Sequence, residues 1–117
     1  MRFTKGGIPL IPAGITVQPA IYRTEVAEDE VTVGNAVAVS VISPQAFGIA
    51  TYAKLQNTST AGQRIRVGIA PAFAPPTNLG LLLNPGDEAE FVNVNVQFRA
   101  IADAAGGLLS RQILTTS

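Results

Sequence analysis

Residues Val92-Asn93-Val94-Asn95-Val96-Gln97-Phe98-Arg99 alternate one apolar with one polar side chain without interruption. Successive side chains of a β-strand point to opposite faces, so this period of two describes a strand with Val92, Val94, Val96 and Phe98 toward a core. Asn93, Asn95, Gln97 and Arg99 then form its polar face. This is the clearest strand signal in the chain, and the neighbouring segments are read against it.

Upstream, Asn84-Pro85-Gly86-Asp87 places Pro second and Gly third, the arrangement of a type II turn, whose third residue takes positive φ. Leu79 to Leu83 before it make a short apolar strand, and the Pro-rich stretch 71–77 breaks regular structure. Ile65, Val67 and Ile69 alternate with Arg64 and Arg66 outside. Asn57 to Gly62 is a loop by composition. Ile49, Thr51, Ala53 and Leu55 alternate with Ala50, Tyr52, Lys54 and Gln56 as a strand, although Ala, Gln, Lys and Leu also permit a helix over 45–55. Residues 43–48 are a turn.

Farther upstream, Val31 and Val33 lead through Gly34-Asn35 into Val37, Val39 and Val41, a hairpin or bulge signature. Glu25, Glu28, Asp29 and Glu30 read as a loop, and 15–22 as an edge or bent strand interrupted by Pro19. Downstream, segments 99–104 and 108–115 are joined at Ala105-Gly106-Gly107 as a tight hairpin. Residues 1–14, with Pro9 and Pro12, form an extended arm rather than the uninterrupted apolar region of a signal peptide. The sum is an all-β chain: an antiparallel β-sandwich or jelly-roll-like barrel of seven to eight short strands over 15–117, one domain, with an N-terminal arm.

Composition narrows the chemistry. The 117 residues include no His, Cys or Trp. That excludes a Ser-His-Asp triad, a Cys nucleophile, a His- or Cys-ligated zinc site and a disulfide. No cofactor or metal is called for, and the chain reads as a non-enzyme. Eight Lys+Arg balance eight Asp+Glu, so no basic footprint for nucleic acid is expected. No apolar run approaches the ~20 residues of a membrane span. Charged residues make up 14% where soluble domains have about 25%. Low charge and zero net charge suit a surface partly covered by neighbouring subunits.

Two acidic stretches hold seven of the eight acids, giving the molecule an acidic end. Glu25, Glu28, Asp29 and Glu30 lack the spacing of an EF-hand loop and read as solvated charge, as do Asp87, Glu88 and Glu90. Arg64 and Arg66, two apart on one strand face, are expected to pair with Glu28, Asp29, Glu30, Asp87 or Glu88 of the same chain or of a neighbour. The arm carries Arg2, Phe3, Lys5, Ile8, Leu10 and Ile11. Its four apolar side chains, at about 1.5–3 kcal/mol each when buried, would contribute several kcal/mol to an assembled state before ordering costs.

Four stretches taken in order, Lys54-Leu55-Gln56-Asn57-Thr58-Ser59, Ile65-Arg66-Val67-Gly68, Leu81 to Glu88 and Ala100 to Gly107, resemble the small all-β virion proteins of tailed bacteriophages. These are head-decoration or cement proteins and related head or tail accessory β-sandwiches. The resemblance covers roughly the C-terminal half. It implies a structural virion protein that decorates and cements a capsid without catalysis, with the major capsid protein or other virion proteins as partners. It also implies a homo-oligomer, a trimer being favoured, on a capsid or tail surface after synthesis in the host cytoplasm. An accessory module that binds a receptor or glycan through Asn93, Asn95 and Gln97 is the alternative, and a carboxylate hydrolase is a third reading.

Overall fold

The computed structural model describes residues 22–73 and 78–116. The expected arm over 1–14, with Arg2, Phe3, Lys5, Ile8, Leu10 and Ile11, lies outside the described residues, as does most of the strand expected over 15–22. Among the described residues there are eight strands: β1 (Thr24–Val33), β2 (Val39–Ile42), β3 (Thr51–Asn57), β4 (Ile65–Gly68), β5 (Leu81–Leu83), β6 (Glu88–Val94), β7 (Phe98–Ala102) and β8 (Gly107–Thr115). A first sheet has the order β1-β8-β3-β6 and a second the order β2-β7-β4-β5, with every pairing antiparallel. Strand 1 pairs with 8, 2 with 7, 3 with 6 and 4 with 5, as if one long hairpin had been rolled into two layers. That is the strand arrangement of a jelly roll. The expected all-β sandwich is the fold.

The alternation of apolar residues explains which faces meet. On β3, Ala53 and Leu55 point inward and Tyr52, Lys54 and Gln56 outward; Ile65 and Val67 of β4 and Leu109 and Ile113 of β8 close the same core. Phe91 of the first sheet meets Phe98 of the second with ring centroids 5.0 Å apart, within the range in which tilted aromatic pairs add to simple burial. The helix expected as an alternative over 45–55 does not form: after a turn over 46–48, β-ladders on both sides capture residues 51–57 as β3.

The stretch 92–99 is two strands, not one. β6 ends at Val94 and β7 begins at Phe98 in the other sheet. Opposite β3, three steps of β6 from Phe91 to Val94 match two from Thr51 to Ala53, a bulge in which Asn93 takes φ 60°. The bulge changes which parity faces the core, so the buried set is Ala89, Phe91, Val94 and Phe98, while Val96 sits exposed in the turn between the sheets. The expected polar ladder Asn93, Asn95, Gln97 therefore does not exist on one strand face.

Two expected hairpins are likewise crossings between sheets. Gly34-Asn35 carries the chain from β1 to β2, and Ala105-Gly106 from β7 to β8, each pair of strands lying in different layers. Gly107 packs so closely that a Cβ there would lie 2.8 Å from the Val33 carbonyl oxygen. The acidic segment 25–30, expected as a loop, forms much of β1, because its backbone completes the ladder with β8 and its glutamates can stand outward at a sheet edge. Charge on an edge strand also deters pairing with stray strands. Ile69, expected on the core face, is exposed beyond the end of β4. The turn at 84–87 is as expected: Gly86 has φ 90° and the Asp87 N–H donates to the Asn84 carbonyl over 2.9 Å.

Candidate functional site

The topology sorts the loops onto two ends of the sandwich. Connections β1–β2, β3–β4, β5–β6 and β7–β8 lie at one end; β2–β3, β4–β5 and β6–β7 lie at the other, together with Tyr22 and the end of β8. The two ends differ in chemistry.

At the first end, polar side chains are used internally. Asn57 is fully buried; its Nδ2 donates to the carbonyls of Gln63 (2.8 Å) and Leu83 (2.9 Å), and its Oδ1 accepts from the Ser59 N–H (3.0 Å). Gln63 Nε2 donates to the Ala105 carbonyl and its Oε1 accepts from the Ala61 N–H. Asp87 Oδ2 accepts from the Asn84 N–H. Sequence reasoning placed Asn57 in a loop and gave Gln63 no role. The physical signal, an amide at an inward strand position, appears only once β3 is known to reach residue 57.

At the second end, apolar side chains are left unused. Of the six large hydrophobic residues that are exposed among the described residues, Phe47, Ile69, Leu79, Val96 and Val26 belong to this end, and only Val37 belongs to the other. The β2–β3 loop is fastened beside the β6–β7 turn by a 2.7 Å hydrogen bond from the Gln45 N–H to Asn95 Oδ1. The Ala72 N–H donates to the Leu79 carbonyl over 3.1 Å, which holds the two limbs of the β4–β5 connection together. Contiguous exposed apolar patches are a general mark of contact surfaces on proteins.

The charged residues singled out from sequence are dispersed. Arg64 pairs with Asp103, Nε to Oδ2 at 2.8 Å, and not with either acidic stretch. Arg66 lies over the Phe73 ring at 5.2 Å and donates to the Gly80 carbonyl, again away from those acids. Asp29 points between the sheets and forms a two-pronged ion pair with Arg111, both bonds 2.8 Å, while Arg111 Nη1 donates to the Val41 carbonyl at 3.0 Å. Glu30 accepts from the Thr58 hydroxyl and Glu88 faces Lys54 at 3.4 Å. Arg111, which ties β1, β8 and β2 together at one lateral edge, was not visible as a site residue in sequence. No group of three or more acidic, His or Cys side chains is placed to hold a metal ion among the described residues.

Two carboxyls are held below their ordinary value of 3.8: Asp29 chiefly by hydrogen bonding from Arg111, and Asp103 chiefly by hydrogen bonding from Arg64. A depressed acid stabilises the fold above its unfolded pKa and loses that contribution as pH falls through the lower folded value. Unfolding midpoints measured by circular dichroism should therefore hold near neutrality and fall below about pH 4; Asp103→Asn should flatten part of that fall.

On the outer face of the first sheet, the Tyr52 hydroxyl donates to the buried Glu90 carboxylate. Burial, and then that carboxylate, push the Tyr52 hydroxyl well above its ordinary value of 10. The phenol thus stays neutral, and its contribution is lost only as pH rises through the raised folded value. Tyr52→Phe should cost about 1 kcal/mol at neutral pH, read as a lowered urea midpoint with unchanged slope.

No known protein family matches the sequence, and no curated protein is similar to it. Among solved structures, the chain is similar to one from Bacillus endospore appendages, described as a novel family of disulfide-linked pili. The identity is 14%, covering 86% of this chain and 95% of that one, with a TM-score of 0.42. That likeness is too loose to carry an argument about fold or function. These 117 residues contain no Cys with which to form a disulfide link. No helix among the described residues is long and apolar enough to cross a membrane.

Proposed function

We propose that this chain is a structural, non-catalytic subunit of an assembled particle, a protein that decorates and cements a bacteriophage capsid. One observation carries the reading: among the described residues, five of the six exposed large hydrophobic side chains belong to the end where Tyr22 joins residues 1–21. The opposite end turns its polar side chains inward onto its own loops. A domain so built presents one adhesive end and one self-contained end, as a protein seated on a shell requires.

The particle is named from the sequence resemblance to phage decoration proteins, and the absence of His and Cys suits a role without chemistry. In this reading the apolar end, where Phe47 and Val96 are exposed, meets the major capsid protein. The apolar side chains of the arm, Phe3, Ile8, Leu10 and Ile11, add to that contact. Deleting residues 1–12 should abolish attachment to particles in a co-sedimentation assay, and Phe47→Asp with Val96→Asp should weaken it at least tenfold. Circular dichroism of both variants should match the parent. Normal occupancy by either variant would remove its segment from the interface.

A further inference from the structure

The two outer faces of the sandwich carry opposite charge. On the first sheet the strand register lines up outward rows: Glu30, Ser110, Gln56 and Glu88 form one, and Glu28, Gln112, Lys54 and Glu90 the next. Glu25 stands outward beside Leu114 in the third row. Glu25, Glu28, Glu30 and Glu88 are thus exposed on one face with Lys54, while Glu90 is buried there and accepts from the Tyr52 hydroxyl. A shallow trough of about 220 Å³ on this face is lined by Glu28 and Glu88 together with Lys54, Arg111 and neutral polar side chains. On the second sheet, Arg99 stands exposed opposite Ser40 and Gly68, while Arg66, between Ile101 and Leu82, is partly covered: its guanidinium lies 5.2 Å from the Phe73 ring centroid and its Nε is buried. Arg64 is adjacent, with Asp103 the one acid beside it. Zero net charge for the whole chain thus conceals an acidic face and a basic face on opposite sides of one sandwich.

We infer that the acidic outer face of the first sheet docks against the basic outer face of the second sheet of another copy of this chain. A two-fold contact through either face alone would set glutamate against glutamate or arginine against arginine, whereas a head-to-tail contact sets each against its opposite. Such heterologous contacts close into a ring only if successive copies rotate. Here the two faces look in opposite directions, so copies stack in line as an open series instead of the trimer favoured from sequence. Ile101 and Leu82 flank Arg66 and supply apolar area at the contact, while charge sets orientation and pairing, as is usual at protein interfaces. This contact is separate from the apolar end, so either can fail while the other stands.

Sedimentation velocity on the full chain tests it. At about 20 mM salt, where the screening length is about 20–30 Å, the average mass should climb with concentration to at least twice that of one chain without a plateau. At about 500 mM salt it should return to one chain, because screening then acts within a few ångströms. Glu28→Lys with Glu30→Lys, and separately Arg66→Glu with Arg99→Glu, should each sediment as single chains. An equal mixture of the two variants should associate again, since each then offers the complement of the other's altered face. If Arg66→Glu loses its cooperative thermal transition, Arg99→Glu alone, at a fully outward position, serves in its place. A parent chain that stays single at low salt, a mass that stops at a closed trimer, or association indifferent to both reversals would overturn the inference.

Discussion

Asn57→Asp should lower folding stability by about 3 kcal/mol at neutral pH, the expected result of exchanging one buried amide nitrogen for an oxygen. The substitution conserves shape. It turns an Nδ2 that donates to the carbonyls of Gln63 and Leu83, at 2.8 and 2.9 Å, into an oxygen facing two oxygens in a fully buried place. Two hydrogen bonds are lost and a charge is left without a counter-ion, which raises the introduced carboxyl's pKa in the folded state. Its sign is therefore opposite to that of Asp29 and Asp103. The penalty is complete above the raised folded value and is relieved as pH falls toward the unfolded value of about 3.9, where the protonated acid can donate to one of the two carbonyls. Chemical denaturation at pH 7 and pH 4.5 should show a smaller gap from the parent at the lower pH. A constant gap would mean that the lost hydrogen bonds, and not the buried charge, carry the cost.

Arg111→Met should cost about 2 kcal/mol. Methionine keeps the length and apolar stem but removes the guanidinium that grips Asp29 and caps the Val41 carbonyl. Arg111 occupies an inward position of β8 between Leu109 and Ile113, so what it contributes is closure of the open side between β1 and β2 more than a surface ion pair. Arg111→Lys should recover less than half of the loss, since one ammonium cannot present a planar fork to a carboxylate and also reach a carbonyl on another strand. Because the Asp29 contribution fades on acidification, the gap between parent and Arg111→Met should narrow below about pH 4 to the part carried by the Val41 carbonyl. Thermal melts across pH 3–7 measure both effects, and an unchanged gap throughout would assign the loss to the Val41 carbonyl and not to Asp29.

The alternation that marks strands was legible, and with it the layer architecture: Ala53 and Leu55, Ile65 and Val67, and the 84–87 turn behave as the sequence implies. What periodicity could not carry was the sheet to which a strand belongs. In this jelly roll only β4 and β5 are both consecutive and paired, so turn signals such as Gly34-Asn35 and Ala105-Gly106 locate a change of direction without saying which layer follows. The run 92–99 misleads for a related reason. A bulge at Val92-Asn93 shifts the inward parity, and the shift is hidden because Val96, in the turn, keeps the alternation alive on paper. Asn93 was the one local hint, since asparagine is among the few residues at ease with φ near +60°.

The candidate site was less legible than the fold. Exposed apolar residues scattered through sequence as Val26, Phe47, Ile69, Leu79 and Val96 become a surface only when the strand order brings their connections to one end. The acids at 25–30 looked like one cluster, yet strand geometry sends Glu28 and Glu30 outward and Asp29 inward to Arg111. Arg64 and Arg66 looked like partners for those acids, yet the second sheet places them across the sandwich, on the face that gives the molecule its basic side.

The measurement that bears most directly on the proposed structural role is quantitative mass spectrometry of virus particles purified on a gradient from cells that carry the gene for this chain. A decorating subunit should appear at a fixed, stoichiometric ratio to the major capsid protein from one preparation to the next. Particles that lack the chain, or carry it only in traces that wash away with the gradient, would contradict that role.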